Sequence, residues 1–82
     1  MNTFYIYITD TFGGELNYCW VTKFQVSANT ERGALNKVSR ETSLHFRHDF
    51  GEIYKAKDAC VGLVIEQDNE YPSYDYSEAT QL

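Results

Sequence analysis

Phe12-Gly13-Gly14-Glu15-Leu16-Asn17-Tyr18-Cys19-Trp20-Val21-Thr22-Lys23-Phe24-Gln25-Val26 is the stretch whose reading decides the fold. It holds two of the five glycines, the only tryptophan and one of the two cysteines. Gly13-Gly14 supplies adjacent positions that tolerate φ > 0, as a tight or bulged hairpin loop requires. From Leu16 or Asn17 to about Val26 the residues alternate. Tyr18, Trp20, Thr22, Phe24 and Val26 share one face of a strand, and Cys19, Val21, Lys23 and Gln25 share the other. Trp20, Phe24 and Val26 read as the core side, Lys23 and Gln25 as the wet side. The stretch reads as the central strand together with the turn that leads into it.

Upstream, Thr3 to Thr9 is a strand of β-branched and aromatic residues, with Phe4, Ile6 and Ile8 on one face and Tyr5 and Tyr7 on the other. Asp10 to Glu15 breaks it. Downstream, the spacing predicts a helix with Thr30 as N-cap, Asn29 being the alternative, and Glu31 in the first turn, where the helix dipole favours an acid. Ala34, Leu35 and Val38 form a short apolar stripe that Leu44 closes, while Arg32, Asn36, Lys37, Arg40 and Glu41 form the solvated side. Gly33 in the first turn reads either as a close approach to the sheet or as simple tolerance.

Ser43 to Gly51 is polar and reads as a loop anchored by Phe46 and Phe50. Ile53 to Ala56 reads as a short strand and Lys57-Asp58 as a turn. Ala59 to Glu66 is a strand with Val61, Leu63 and Ile65 on one face and Cys60, Gly62 and Val64 on the other. Gly62 marks a bulge or a crowded contact. The order β-β-α-β-(β) predicts an α+β fold, an antiparallel sheet of three to four strands with one helix packed on one face. Residues 1–67 form the domain and residues 68–82 an acidic flexible tail, because the apolar pattern stops at Gln67.

Charge sharpens that division. The net charge is −5, yet residues 1–65 hold seven acids and seven bases. Residues 66–82 hold Glu66, Asp68, Glu70, Asp75 and Glu78 and no base, so all the excess is C-terminal. A nucleic-acid binder with a globally basic surface is excluded. No apolar run approaches the roughly 20 residues a membrane span needs. No basic region followed by a long apolar run marks a signal peptide. Cys19 and Cys60 match neither a zinc spacing nor a Cys-x-x-Cys redox pair, so a reducing cytoplasm with free thiols is the simpler expectation.

Candidate chemistry is sparse. His45 and His48, with Asp49, have i, i+3 spacing that a metal could use. Typical sites need three or four ligands of recognisable spacing, and a polar loop is the commoner reading. Cys19 or Cys60 as a nucleophile competes with the commoner role of a small buried hydrophobe. Gly13-Gly14 lacks the third glycine, the Gly-Lys-Ser/Thr and the following helix of a phosphate loop. Tyr5, Tyr7 and Trp20 on an open sheet could stack bases, but the neutral domain and acidic tail make nucleic acid an unfavourable ligand. No catalytic constellation, metal set or cofactor motif emerges, so the expectation is no enzyme and no cofactor.

Phe12-Gly13-Gly14-Glu15, Asn17-Tyr18-Cys19-Trp20-Val21 and Arg32-Gly33-Ala34-Leu35 with Lys37 and Val38 resemble a group of small tailed-phage proteins of unassigned function. The resemblance spans roughly residues 4–66. Position 16 departs from it, with Leu where the group's pattern has a small residue such as Ala. It implies a phage or prophage origin and the cytoplasm of a bacterial host, and no particular activity. With the absent catalytic groups and the localised acidity, it leads to an expected non-enzymatic protein that attaches to and blocks a host protein, such as a CRISPR or restriction component. The expected contact surface is Tyr5, Tyr7, Val21 and Lys23 on the helix-free sheet face, joined by Glu66, Asp68, Glu70, Tyr71, Tyr74 and Asp75 of the acidic segment. Two other readings remain. One is a nucleic-acid-binding regulator that gathers Arg32, Lys37, Arg40 and Arg47 on one surface. The other is a homodimeric accessory protein that pairs through the open sheet face.

Overall fold

Gly13 and Gly14 take φ of 61° and 90° and close a tight turn between Phe12 and Glu15, which pair across it. Positive φ at both positions matches the right-handed twist of the flanking strands. In the computed structural model, which describes residues 1–49, 51, 53–57, 59–67 and 70–82, this turn joins β1 (Asn2–Phe12) to β2 (Glu15–Ala28). There follow α1 (Glu31–Thr42), β3 (Phe46–Asp49), β4 (Ile53–Ala56), β5 (Val61–Gln67) and β6 (Thr80–Gln81). Phe50, Asp58 and Asp68, each given a role above, lie outside the described residues.

The class is α+β, with one helix and a six-stranded sheet in the order β3-β4-β5-β1-β2-β6. The sheet is larger than the three or four antiparallel strands expected, and it is mixed, because β6 runs parallel to β2. The central position belongs to β1, which pairs with β2 on one edge and β5 on the other. β2 is therefore not central: its outer neighbour is the short β6, paired only at Phe24 and Gln25.

Cross-strand partners share a face. Pairs Ile6↔Phe24, Phe4↔Val26, Ile6↔Ile65 and Ile8↔Leu63 put one apolar set on the side where α1 lies. Phe4, Ile6, Ile8, Phe24, Val26, Ala28 and Leu63 there enclose Ala34 and Val38 of the helix. Thr30 is the N-cap, its hydroxyl accepting from the Gly33 N–H at 3.0 Å. Gly33 is the close approach: a Cβ there would stand 3.3 Å from the Thr30 hydroxyl and 3.6 Å from the Ala28 methyl. The helix ends at Ser43, in the left-handed region with φ 61° and its N–H on the Ser39 carbonyl at 2.7 Å.

Three expectations are corrected here. Ser43 to Gly51 is not all loop, since Phe46–Asp49 forms β3 and pairs with β4. Four residues of mixed polarity carry almost no periodicity of their own, and it is β4 that extends them. Trp20 is not in the core but 46% exposed. A 12-residue helix covers about 18 Å, far less than a 14-residue strand, so the near end of β2 projects past it. The acidic segment, finally, does not hang free: residues 70–82 lie across the helix-free face and end in β6.

Candidate interaction surface

Tyr5, Tyr7, Lys23 and Gln25 stand on the sheet face opposite α1, as the pairs Tyr5↔Gln25 and Tyr7↔Lys23 require. The face is tiled with tyrosines from elsewhere in the chain. The Tyr74 ring stacks on Tyr7 with centroids 3.9 Å apart and planes inclined by 21°. Tyr76 sits 5.1 Å from Tyr5, and Tyr18 of β2 sits 5.9 Å from Tyr7. The Tyr18 and Tyr74 hydroxyls are 3.5 Å apart.

Polar contacts hold the covering segment. The Lys23 ammonium donates to the Asp75 carbonyl at 2.5 Å. The Ser73 N–H and hydroxyl donate to the Glu66 carboxylate at 3.0 and 2.9 Å. Leu82 exchanges backbone bonds with β2, donating to Gln25 and accepting from Ser27. The Asp75 carboxylate accepts from the Ser77 N–H, and that bond, aided by the Lys23 charge, keeps its pKa below the usual carboxylate value. Hydrogen bonding to Tyr18, then burial and neighbouring negative charge, pushes Tyr74 up to about 12. Tyr76 is raised as well, chiefly by burial, and its hydroxyl meets no hydrogen-bond partner among the described residues.

The second feature is a wide bulge in β2. Thr9 pairs with Val21 but Thr11 pairs with Leu16, so Asn17 to Trp20 all stand against Asp10. Tyr18 takes a positive φ of 62° to make the excursion. Asp10 organises it. Its carboxylate accepts from the Asn17 amide and the Cys19 N–H, each at 2.9 Å, and from the Thr9 hydroxyl at 3.2 Å. The buried Thr9 hydroxyl also reaches the Trp20 carbonyl. Desolvation pushes the Asp10 carboxyl up, but the Cys19 N–H leads a set of hydrogen bonds that outweighs it and lowers the group's pKa. The Asp10 charge in turn raises the Cys19 thiol. Cys19 is exposed, but a thiol held protonated is a poor nucleophile.

The bulge turns side chains outward. Tyr18, Trp20 and Val21 are 51%, 46% and 39% exposed, and Phe12 at the hairpin tip is 81% exposed. Beside them a cleft of about 370 Å³ opens between Tyr7, Val21, Lys23, Tyr74, Asp75 and Glu78. Of the expected contact residues, the structure brings Tyr7, Val21, Lys23, Tyr74 and Asp75 to this one cleft. Tyr7 forms its floor, only 5% exposed, because Tyr74 covers it. Tyr5 is half-buried under Tyr76, Glu66 is engaged by Ser73, and Glu70 and Tyr71 stand exposed further along the segment. Tyr18, Phe12 and Glu78 were not singled out as contact residues. Phe12 flanks the hairpin turn, which is a local signal, whereas Tyr18 is turned outward only by the bulge.

The remaining candidates do not assemble into a reactive centre. His48 packs edge-on against Tyr54 at 4.9 Å. His48 lies on β3, whereas His45 precedes that strand and lines a cleft with Arg32 and Lys57. Among the described residues no three His, Cys, Asp or Glu side chains are grouped to hold a metal ion. Cys19 and Cys60 are both exposed and unpaired, not buried as expected. The helix cations diverge: Lys37 reaches back to the Ser27 carbonyl, while Arg32 faces a cleft toward β3. No helix among the described residues is long and apolar enough to cross a membrane.

No family model matches the chain, and no match is found among curated proteins or solved structures.

Proposed function

We propose that this chain is a non-enzymatic binding protein that docks on a host protein through the outer half of β2 and blocks it. The observation that carries the reading is the contiguous exposure of Tyr18, Trp20 and Val21 beside the Tyr7–Tyr74 cleft. Aromatic side chains standing out of a fold are what protein interfaces favour, because they bury large area at little entropic cost. Tyr18 and Trp20 lie on a bulge pinned by Asp10 and Val21 borders it, so they are presented in one arrangement before any partner arrives. The target class rests on the resemblance of Asn17–Val21 and Arg32–Val38 to small phage proteins. It is a nucleic-acid-handling or defence protein of a bacterial host, inhibited in the manner of an anti-CRISPR or anti-restriction protein.

The test is protection. The chain is expressed in bacteria that carry a defined CRISPR or restriction system, and phage plating efficiency is measured. Plating rises with the native chain and falls back with Trp20→Ala or Tyr18→Ala, while the melting temperature of either variant changes little. Protection that survives both substitutions removes the assigned surface. No protection from any system tested removes the inhibitor reading.

A further inference from the structure

The opposite side of the molecule carries a cleft of different character. Arg32, Leu35, Asn36 and Ser39 of α1 face His45, Phe46 and Lys57 across about 330 Å³. Arg32, Asn36 and Ser39 follow i, i+4, i+7 spacing, which lines them along one stripe of the helix. The far wall is fixed by backbone, since the Lys57 N–H donates to the His45 carbonyl at 3.1 Å. The chain has twelve acids against seven bases, yet none of the lining residues is an acid and three are basic types. The one ion pair found among the described residues joins Lys55 to Asp49, so Arg32 and Lys57 face the cleft without a carboxylate of their own. Glu31, the nearest acid in the chain to Arg32, is taken by the Tyr54 hydroxyl.

We infer that this cleft binds a small phosphomonoester. Arg32 offers a guanidinium fork that fits two phosphate oxygens, and Lys57 offers a point charge from the opposite wall. Asn36 and Ser39 add neutral donors, and His45 a ring nitrogen. The cleft is near the lower end of the roughly 300–1,000 Å³ of small-molecule sites. It therefore takes more than a bare phosphate ion. Leu35 and Phe46, half-buried in its lining, provide an apolar wall for the ligand's carbon part. The site is independent of the docking surface, which lies on β2 and the tyrosine-covered face.

Phenyl phosphate is the probe. Titration into the isotopically labelled chain, followed by two-dimensional amide and arginine side-chain NMR, is expected to give saturable shifts at Arg32, Phe46 and Lys57. Inorganic phosphate binds more weakly and phenol gives no saturable shift. The double variant Arg32→Ala with Lys57→Ala keeps the native melting temperature and loses about tenfold or more in affinity, as removal of charge-assisted contacts to phosphate predicts. Equal binding by that variant, equal binding of phenol, or absence of saturation overturns the proposal. Tighter binding of a short single-stranded oligonucleotide through the same residues also overturns it, in favour of nucleic acid.

Discussion

The Tyr74 ring lies face to face with Tyr7, 3.9 Å away, although their positions are separated by nearly the whole chain. This stack is the main rivet between the C-terminal segment and the sheet. Tyr74→Ala removes it, and the loss of one aromatic pair with its buried area costs about 1–2 kcal/mol. Tyr74→Phe keeps the stack and loses only the long contact to the Tyr18 hydroxyl, so it costs far less. Urea unfolding separates the two, and limited proteolysis of the alanine variant cuts first within residues 70–82.

Tyr76→Phe is expected to stabilise the protein. Its ring is buried against Tyr5, but its hydroxyl is enclosed without a partner among the described residues. An unsatisfied buried polar group costs about 1–3 kcal/mol, and phenylalanine removes the group while keeping the ring. A melting temperature unchanged or lowered in Tyr76→Phe contradicts this account of the hydroxyl.

Alkali should ionise an ordinary surface tyrosine before it unfolds the protein. Tyr74 and Tyr54 are each raised to about 12, Tyr74 first by its hydrogen bond to Tyr18 and Tyr54 first by donating to Glu31. A raised folded pKa means that the folded state holds its proton more firmly than the unfolded chain. The contribution is complete below the unfolded value near 10 and is lost as pH climbs through about 12. Stability measured by urea midpoint stays level from neutral pH to about 10 and then declines. Tyrosinate absorbance shows at least two groups that ionise late or only on unfolding.

Asp10→Asn tests the bulge. Asparagine retains an acceptor for the Cys19 N–H but sets a second NH₂ donor against the Asn17 amide. Stability falls, read as a lower urea midpoint, because one of the bonds that pin the bulge is lost. The Asp10 charge also holds the Cys19 thiol protonated, so its removal lowers that pKa and quickens alkylation of Cys19 at mildly alkaline pH. Cys60 serves as the internal reference, its rate unchanged. A Cys19 rate that does not rise relative to Cys60 sinks the electrostatic link.

Gly62→Ala is expected to cost about 1–3 kcal/mol by overpacking. A Cβ at that position would stand 2.8 Å from Leu16 Cδ2 and 2.9 Å from Thr11 Cγ2. The remedy identifies the cause: Leu16→Ala added to Gly62→Ala recovers part of the loss. If the double variant is worse by the simple sum, the contact is not the reason.

Local rules reached β1, the Gly13-Gly14 turn, the Thr30 cap and β5, because each is written in contiguous residues with a period or a cap. They failed where structure is borrowed from a distant partner. Phe46–Asp49 becomes a strand only because β4 pairs with it. Tyr74 and Tyr76 look like residues of a polar tail until Tyr5 and Tyr7 receive them. Trp20 fitted the alternating pattern of a core residue, and nothing local showed that the helix stops short of it. The exposed set beside the cleft was partly legible, since Val21, Lys23 and Asp75 were expected there. Tyr18 needed the bulge, which depends on how Asp10 spends its carboxylate.

The position of β1 also dictates an order of events. One of its edges is filled by β2, the next strand in the chain, through a two-glycine turn. The other must wait for β5, beyond the helix, β3 and β4. Hairpins close in microseconds, whereas distant strands find each other slowly because a long loop must close first. A nascent chain therefore carries a finished hairpin whose free edge still displays unpaired backbone, and arrival of β5 is the step that commits the molecule to its fold.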